Sequence, residues 1–90
     1  MKNPLVSIII PNYNKEEFLS ICIQSVLNQT YKNFEIIIID NFSSDRSLDV
    51  IKKFIDARIN LFQFQNNGII AASRNFGIKK SNGKYLAFLD

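Results

Sequence analysis

Apolar residues in this chain come in short unbroken runs, and each run stops at a polar turn. Ile36-Ile37-Ile38-Ile39 does not alternate as a half-exposed strand would, so the pattern predicts a strand buried on both faces, as in a parallel sheet. That run ends at Asp40-Asn41-Phe42-Ser43-Ser44-Asp45. Val6-Ser7-Ile8-Ile9-Ile10 likewise runs into Pro11-Asn12-Tyr13-Asn14, and Tyr85-Leu86-Ala87-Phe88-Leu89 into Asp90. Between the runs the apolar spacing becomes helical. Phe18, Cys22 and Val26 lie four apart, as do Leu19, Ile23 and Leu27, which predicts one broad apolar face. Leu48, Ile51, Phe54 and Ile55 predict the buried stripe of a second helix. The chain thus reads as strand 5–10, helix 15–28, strand 34–39, helix 47–57, strand 59–64, helix 70–80 and strand 84–89.

Strands alternating with helices imply right-handed β-α-β crossovers. The expected fold is α/β, a three-layer sandwich around a four-stranded parallel sheet with its first strand in the interior. Asn14 followed by Glu17 resembles a capping box for the first helix. Ser43, Ser44 or Asp45 is suited to cap the second, and Asn82-Gly83 marks a turn. In open sheets of this kind ligands bind just beyond the carboxyl ends of the strands. The polar terminations are therefore the candidate site.

With 90 residues, 47% of them apolar, the chain makes one small globular domain rather than a disordered segment. It carries 11 basic and 8 acidic residues, a net charge of +3. The only basic doublets, Lys52-Lys53 and Lys79-Lys80, fall near predicted helix C-termini, where cations complement the dipole. No basic stripe with interleaved aromatics is present, so nucleic acid is not an expected partner. With no histidine, Ser-His-Asp and Cys-His catalysis and the usual zinc sites are excluded from this segment. The one cysteine, Cys22, falls on an apolar helical face, which fits an inert core residue in a reducing compartment. The first apolar run is too brief for a signal peptide or a membrane span. A cytoplasmic location is expected, with peripheral membrane association open to a longer parent protein. Because a parallel strand normally leads into another helix, residues 1–90 read as a single partial domain, the front of a longer one.

The dinucleotide fingerprint is absent, since Pro11-Asn12-Tyr13-Asn14-Lys15 has no glycine to admit a pyrophosphate. A P-loop is absent too. A phosphoacceptor receiver domain needs an acidic pair after its first strand, where this chain has Pro11 and Asn12. The motifs instead resemble another family. Val6 to Asn14 is similar to the opening strand and turn of the family-two nucleotide-sugar glycosyltransferases. Ser25-Val26-Leu27-Asn28-Gln29-Thr30-Tyr31 with Phe34-Glu35 resembles that family's first helix end and second strand, and the Asp40 to Asp45 segment its polar loop. Asn67-Gly68 with Ala72-Ser73-Arg74-Asn75-Phe76-Gly77-Ile78 resembles its third crossover helix. Gly83-Lys84-Tyr85-Leu86-Ala87-Phe88-Leu89-Asp90 resembles the strand leading into its Asp-x-Asp metal motif. The resemblance covers essentially the whole chain, with all five motifs in order.

What the resemblance implies is the nucleotide-binding half of a GT-A fold, with strand order 3-2-1-4 and the donor above the reversal between strands one and four. Pro11 and Tyr13 would line the base pocket, with the Tyr13 ring on the pyrimidine or simply anchoring the turn. Asp40 would bond the base, the ribose or its own loop. Asn41 stands where the family more often has a second aspartate that accepts from the uracil ring N–H. An asparagine still accepts through its carbonyl but adds a donor, and uracil and thymine are both compatible. Arg74 would reach the donor diphosphate or a loop carboxylate such as Asp40, while Gly77 would let helix pack closely on sheet. Asp90 would be the first aspartate of a divalent-cation site for Mn²⁺ or Mg²⁺ in the full-length enzyme. No catalytic residue falls within the chain on this reading. The expected function is inverting transfer of a sugar from a nucleoside-diphosphate donor, with this part binding the donor, holding no metal, inactive alone and self-associating. A self-contained, non-catalytic nucleotide-binding or interaction module is the alternative.

Overall fold

The structure is a computed structural model, and it describes residues 3–89. Its elements alternate as β1 (Val6–Asn12), α1 (Glu16–Leu27), β2 (Phe34–Asp40), α2 (Ser47–Lys52), β3 (Ile59–Gln63), α3 (Ile70–Lys80) and β4 (Tyr85–Phe88). The four strands form one sheet in the order β3-β2-β1-β4, and every pairing is parallel. β1 and β2 fill the centre in a register that sets Ile8 opposite Ile36, Ile10 opposite Ile38, and Asn12 opposite Asp40.

The isoleucine run does what its lack of alternation requires. Ile36 and Ile38 join Ile8 and Ile10 on one face, where Leu19, Cys22, Ile23 and Val26 of α1 and Ile51 of α2 close over them. Ile37 and Ile39 join Ile9 on the other face, beneath Phe76 of α3 and beside Phe62 and Phe64. Phe76 stacks on Phe64 at 4.6 Å and meets Phe62 edge-on at 5.9 Å. Period-2 side chains thus feed two separate cores, so β2 has no polar face to expose.

The helices differ from the sequence pattern in two places. Phe18 is 40% exposed, because Leu19, Cys22, Ile23 and Val26 make the tight stripe over the sheet and Phe18 sits at its margin. The second helix stops at Lys52, so Ile55 does not extend its buried stripe and is 99% exposed. After Lys52 the chain tightens, with the Lys53 and Phe54 amides donating to the Val50 and Ile51 carbonyls. It then enters a turn held by Asp56, whose carboxylate accepts from Arg58 Nη2 at 2.7 Å and from Arg58 Nε at 3.0 Å. Those bonds hold the Asp56 carboxyl down at about 2. The guanidinium lies 4.2 Å above the Phe34 ring.

A polar network pins the amino ends of the strands. Fully buried Ser7 donates from its hydroxyl to Glu35 Oε2 at 2.6 Å and accepts from the Gly83 N–H at 2.8 Å. The Asn82 N–H donates to the same Glu35 oxygen at 2.6 Å. This fixes where the chain enters β4. The outer edge of β4 carries Tyr85, Leu86 and Phe88, all exposed, and the expectation of self-association rests on that surface.

Two glycines mark close approaches with different expected costs. A Cβ on Gly83 would stand 2.6 Å from the Ser7 backbone nitrogen and 3.0 Å from the Leu5 carbonyl, neither of which can swing aside. A Cβ on Gly77 would meet Ile9 Cγ2 at 2.7 Å and Ile39 Cδ1 at 2.8 Å; Ile39 Cδ1 is the free end of its side chain, whereas Ile9 Cγ2 branches at Cβ and moves only by turning χ1. Overpacking of this kind costs about 1–3 kcal/mol. Gly83→Ala should therefore lie at or above the upper end and Gly77→Ala below it, as read by denaturant titration. The reverse ranking would contradict the packing described.

Candidate functional site

The polar terminations of β1 and β2 meet at the carboxyl end of the sheet and are bound together by one side chain. Asp40 is fully buried. Its Oδ1 accepts from Asn12 Nδ2 at 3.0 Å and from the Ser43 hydroxyl at 2.6 Å, and its Oδ2 accepts from the Ser43 N–H at 2.9 Å. The Asn41 N–H continues the strand pairing onto the Asn12 carbonyl at 3.0 Å. The Asp40 carboxylate is therefore committed to its own loop, and it lines neither of the cavities at this end of the sheet.

Around this centre the loops cap each other across the fold. Asn14, at φ 50, donates from its N–H to the Ser43 hydroxyl, and its Oδ1 accepts from the Ser44 and Asp45 N–H groups at 2.7 and 3.2 Å. It does not cap α1 as the Asn14–Glu17 spacing led us to expect. Asp45 takes that task from another part of the chain: its Oδ2 accepts from the Glu16 N–H at 3.1 Å, while its Oδ1 accepts from the Ser47 N–H and hydroxyl. One carboxylate thus caps both α1 and α2. Burial opposes its charge, but the hydrogen bonds from Ser47 and from the Glu16 N–H outweigh that and hold the carboxyl below its usual range.

Asn41 is held differently. Its Nδ2 donates to Asn66 Oδ1 at 2.8 Å, and its Oδ1 accepts from the Asn66 N–H at 3.2 Å. Asn66 Oδ1 also accepts from the Gly68 N–H at 2.8 Å, and Asn66 Nδ2 donates to the Ser73 hydroxyl. Backbone N–H groups cannot exchange roles, so they fix which end of each amide is oxygen. The β2 end is thereby tied to the β3–α3 loop, where Asn67 and Gly68 both adopt positive φ.

Two adjoining cavities open on this surface. The first, about 280 Å³, is lined by Pro11, Asn12, Tyr13, Lys15, Asn41, Asn66, Gly68 and Ile70. The second, about 340 Å³, shares Tyr13, Asn41 and Gly68 and adds Phe42 and Gln65. Of the residues singled out in the sequence, Pro11, Tyr13 and Asn41 come together here. Asp40 lies beneath them, and Arg74 is half-buried on α3 and lines neither cavity. Asp90 lies outside the described residues. The cavities sit over β1, β2 and the β3–α3 loop, whereas the sequence reading placed the ligand above the gap between β1 and β4. Lys15 and Asn66 did not stand out in the sequence; Asn67-Gly68, which opens the motif resembling the family's third crossover helix, was the one pointer to the loop that supplies Asn66.

Among the described residues no three acidic, cysteine or histidine side chains cluster as a metal site would require. The site's two carboxylates, Asp40 and Asp45, are both taken up by loop and cap hydrogen bonds. The described residues therefore do not fit a divalent cation. No helix among them is long and apolar enough to cross a membrane.

Comparison with known proteins gives a consistent picture. The family model described as Glycosyl transferase family 2 matches residues 7–90. An uncharacterised glycosyltransferase of Haemophilus influenzae is 47% identical over all of this chain, which spans 37% of that relative. The Escherichia coli protein named UDP-Glc:alpha-D-GlcNAc-diphosphoundecaprenol beta-1,3-glucosyltransferase WfgD is 42% identical, again over the whole chain and 36% of the relative. The chain thus spans just over a third of the length of these curated relatives. Staphylococcus aureus TarS, solved as residues 1–349 in complex with UDP, superposes with a TM-score of 0.87 at 27% identity, covering 94% of this chain and 26% of that one. The Pyrobaculum calidifontis mannosyltransferase PcManGT, solved with GDP-Man and Mn²⁺, shares the fold at a TM-score of 0.85 and 19% identity, covering 94% of this chain and 26% of that one.

The double cap makes stability depend on Asp45 in a defined pH window. Asp45→Ala should cost about 1–2 kcal/mol at neutral pH. The folded carboxyl titrates below the ordinary value of 3.8, so its contribution is complete above that pH and is lost as the pH falls through the folded value. Denaturant titrations should show a gap between parent and variant that closes in acid. A gap that persists undiminished into acid, or none at neutral pH, would contradict the assignment.

Proposed function

The chain belongs to glycosyl transferase family 2, and from that premise we propose that it binds the nucleotide of a nucleoside-diphosphate sugar, as the donor-binding part of a glycosyltransferase. The observation that carries this reading is the meeting of Pro11, Tyr13 and Asn41 around one cavity at the carboxyl end of a parallel sheet. Tyr13 and Asn41 also line the adjoining cavity of about 340 Å³, so a base set against these two residues has both cavities open to it.

Each wall has a task. The Tyr13 ring, 55% exposed, offers a face for a base to stack on. The Asn41 amide, oriented by Asn66, has one N–H and one carbonyl lone pair beyond those it shares with Asn66, and these are what it offers the base. Lys15, exposed on the rim of the same cavity, supplies positive charge for the diphosphate, and Arg74 is the second candidate for it. A relative named for UDP-Glc and a structural neighbour solved with UDP support uridine as the nucleoside, with thymidine equally acceptable to Asn41. Asp40 acts indirectly, by fixing the loop that carries Asn41.

For the longer protein we propose transfer of the donor sugar to an acceptor hydroxyl, which attacks the anomeric carbon as the nucleoside diphosphate departs. Inversion at that carbon would be read from the anomeric proton coupling of the product. Asp90 keeps its place as a metal ligand of the family motif only as a sequence-based proposal, and no step is built on it.

NMR titration of this chain with UDP or dTDP tests the donor site. Amides of Asn12, Tyr13, Asn14, Asp40, Asn41 and Phe42 should shift first, and Tyr13→Ala should weaken the response by about fivefold or more. Shifts confined to Lys52-Lys53 or Lys79-Lys80 would mean nonspecific attraction of phosphate and would overturn the proposal.

A further inference from the structure

Four described residues have positive φ: Asn14 at 50, Phe42 at 49, Asn67 at 54 and Gly68 at 81. All four lie on the loops that frame the two cavities. Asparagine and glycine enter this region readily, but for a bulky side chain it is a genuine outlier. The backbone on either side explains how Phe42 is kept there. The Asn41 N–H is fixed to the Asn12 carbonyl, and both the N–H and the hydroxyl of Ser43 are fixed to the buried Asp40 carboxylate. The intervening residue must turn through the left-handed region whatever its side chain.

A glycine would make that turn without strain. The chain instead has phenylalanine, and its ring contributes little to the core: it is 53% exposed and belongs to neither hydrophobic cluster. It lines the cavity of about 340 Å³ together with Tyr13, Asn41, Gln65 and Gly68. Two exposed aromatic rings on one cavity, with an oriented amide between their loops, suit a flat heterocycle with a hydrogen-bonding edge. Sparsely populated backbone conformations held by their surroundings concentrate at ligand sites.

We propose that Phe42 is a donor-binding residue, the second aromatic wall of the base site, so that the pyrimidine ring of a nucleoside diphosphate is held between Phe42 and Tyr13 with its polar edge toward Asn41. This rests on the nucleotide-binding reading above. It assigns to Phe42 a contact that costs the fold backbone strain and is made up for only when the base is bound.

Phe42→Gly separates the two roles, because it removes the ring and relieves the backbone at once. NMR titration of this chain with UDP and thermal denaturation without ligand should be run on the parent, Phe42→Gly and Phe42→Tyr. The thermal midpoint of Phe42→Gly should be unchanged or higher. Its affinity for UDP should fall by about fivefold or more, and Phe42→Tyr should retain parental affinity. A Phe42→Gly protein that binds UDP as the parent does would overturn the proposal while leaving the donor site intact. Lost affinity accompanied by a lowered midpoint would overturn it in favour of a structural role for the ring. A parent whose Tyr13 and Asn41 amides do not respond to UDP would overturn the nucleotide-binding reading itself, and this proposal with it.

Discussion

A carboxylate with no solvent contact is tolerated only when its oxygens are met by donors, since an unpaired buried charge is among the most costly features a fold can contain. Asp40 meets this condition with three donors, one from the end of β1 and two from the loop after β2. The surrounding structure follows from that. Ser43, fixed on Asp40, accepts from the Asn14 N–H; Asn14 in turn receives the Ser44 and Asp45 N–H groups; Asp45 then caps two helices. The Asn41–Asn66 amide pair extends the same scaffold to the β3–α3 loop. Pro11, Tyr13, Asn41 and Phe42 are thus held in place by this network, which is how a small domain keeps loops rigid around a cavity.

The two ends of the sheet divide the work. At the amino end Ser7, Glu35, Asn82 and Gly83 close a compact network that fastens β4 beside β1. At the carboxyl end the corresponding polar residues hold loops open around cavities. Between them the isoleucines of β1 and β2 serve two cores at once. Among the described residues those with positive φ are confined to the carboxyl end, where the chain gives up local conformational preference to shape the loops around the cavities.

Much of this could be read from the sequence. The non-alternating isoleucines called for a two-sided strand, the polar terminations marked the end of the sheet where the cavities open, and the motif order carried the family and the strand order. What escaped was set by tertiary hydrogen bonds rather than by local pattern. Asn14 has the spacing of a capping box, yet its side chain is drawn to the β2–α2 loop, and α1 is capped by a residue about thirty positions away. Ile55 has helical spacing, but the Asp56–Arg58 turn ends the helix before it. Asn66 and Lys15 join the site only because the loops after β1 and β3 converge. The strain at Phe42 is invisible in a sequence, since no residue type announces a left-handed phenylalanine.

The hydrogen exchange of the Ser43 and Asn41 amides in Asp40→Asn protein tests the central role of the buried carboxylate most directly. An asparagine has nearly the same shape but no charge: one orientation of its amide sets an NH₂ group against the Ser43 N–H, and the other keeps that bond only if the Asn12 amide turns over and the Ser43 hydroxyl gives up its present bond. If Asp40 organises the site, both amides lose protection and the fold is destabilised by about 2–4 kcal/mol. Protection and stability equal to those of the parent would show that the loops hold their shape without it.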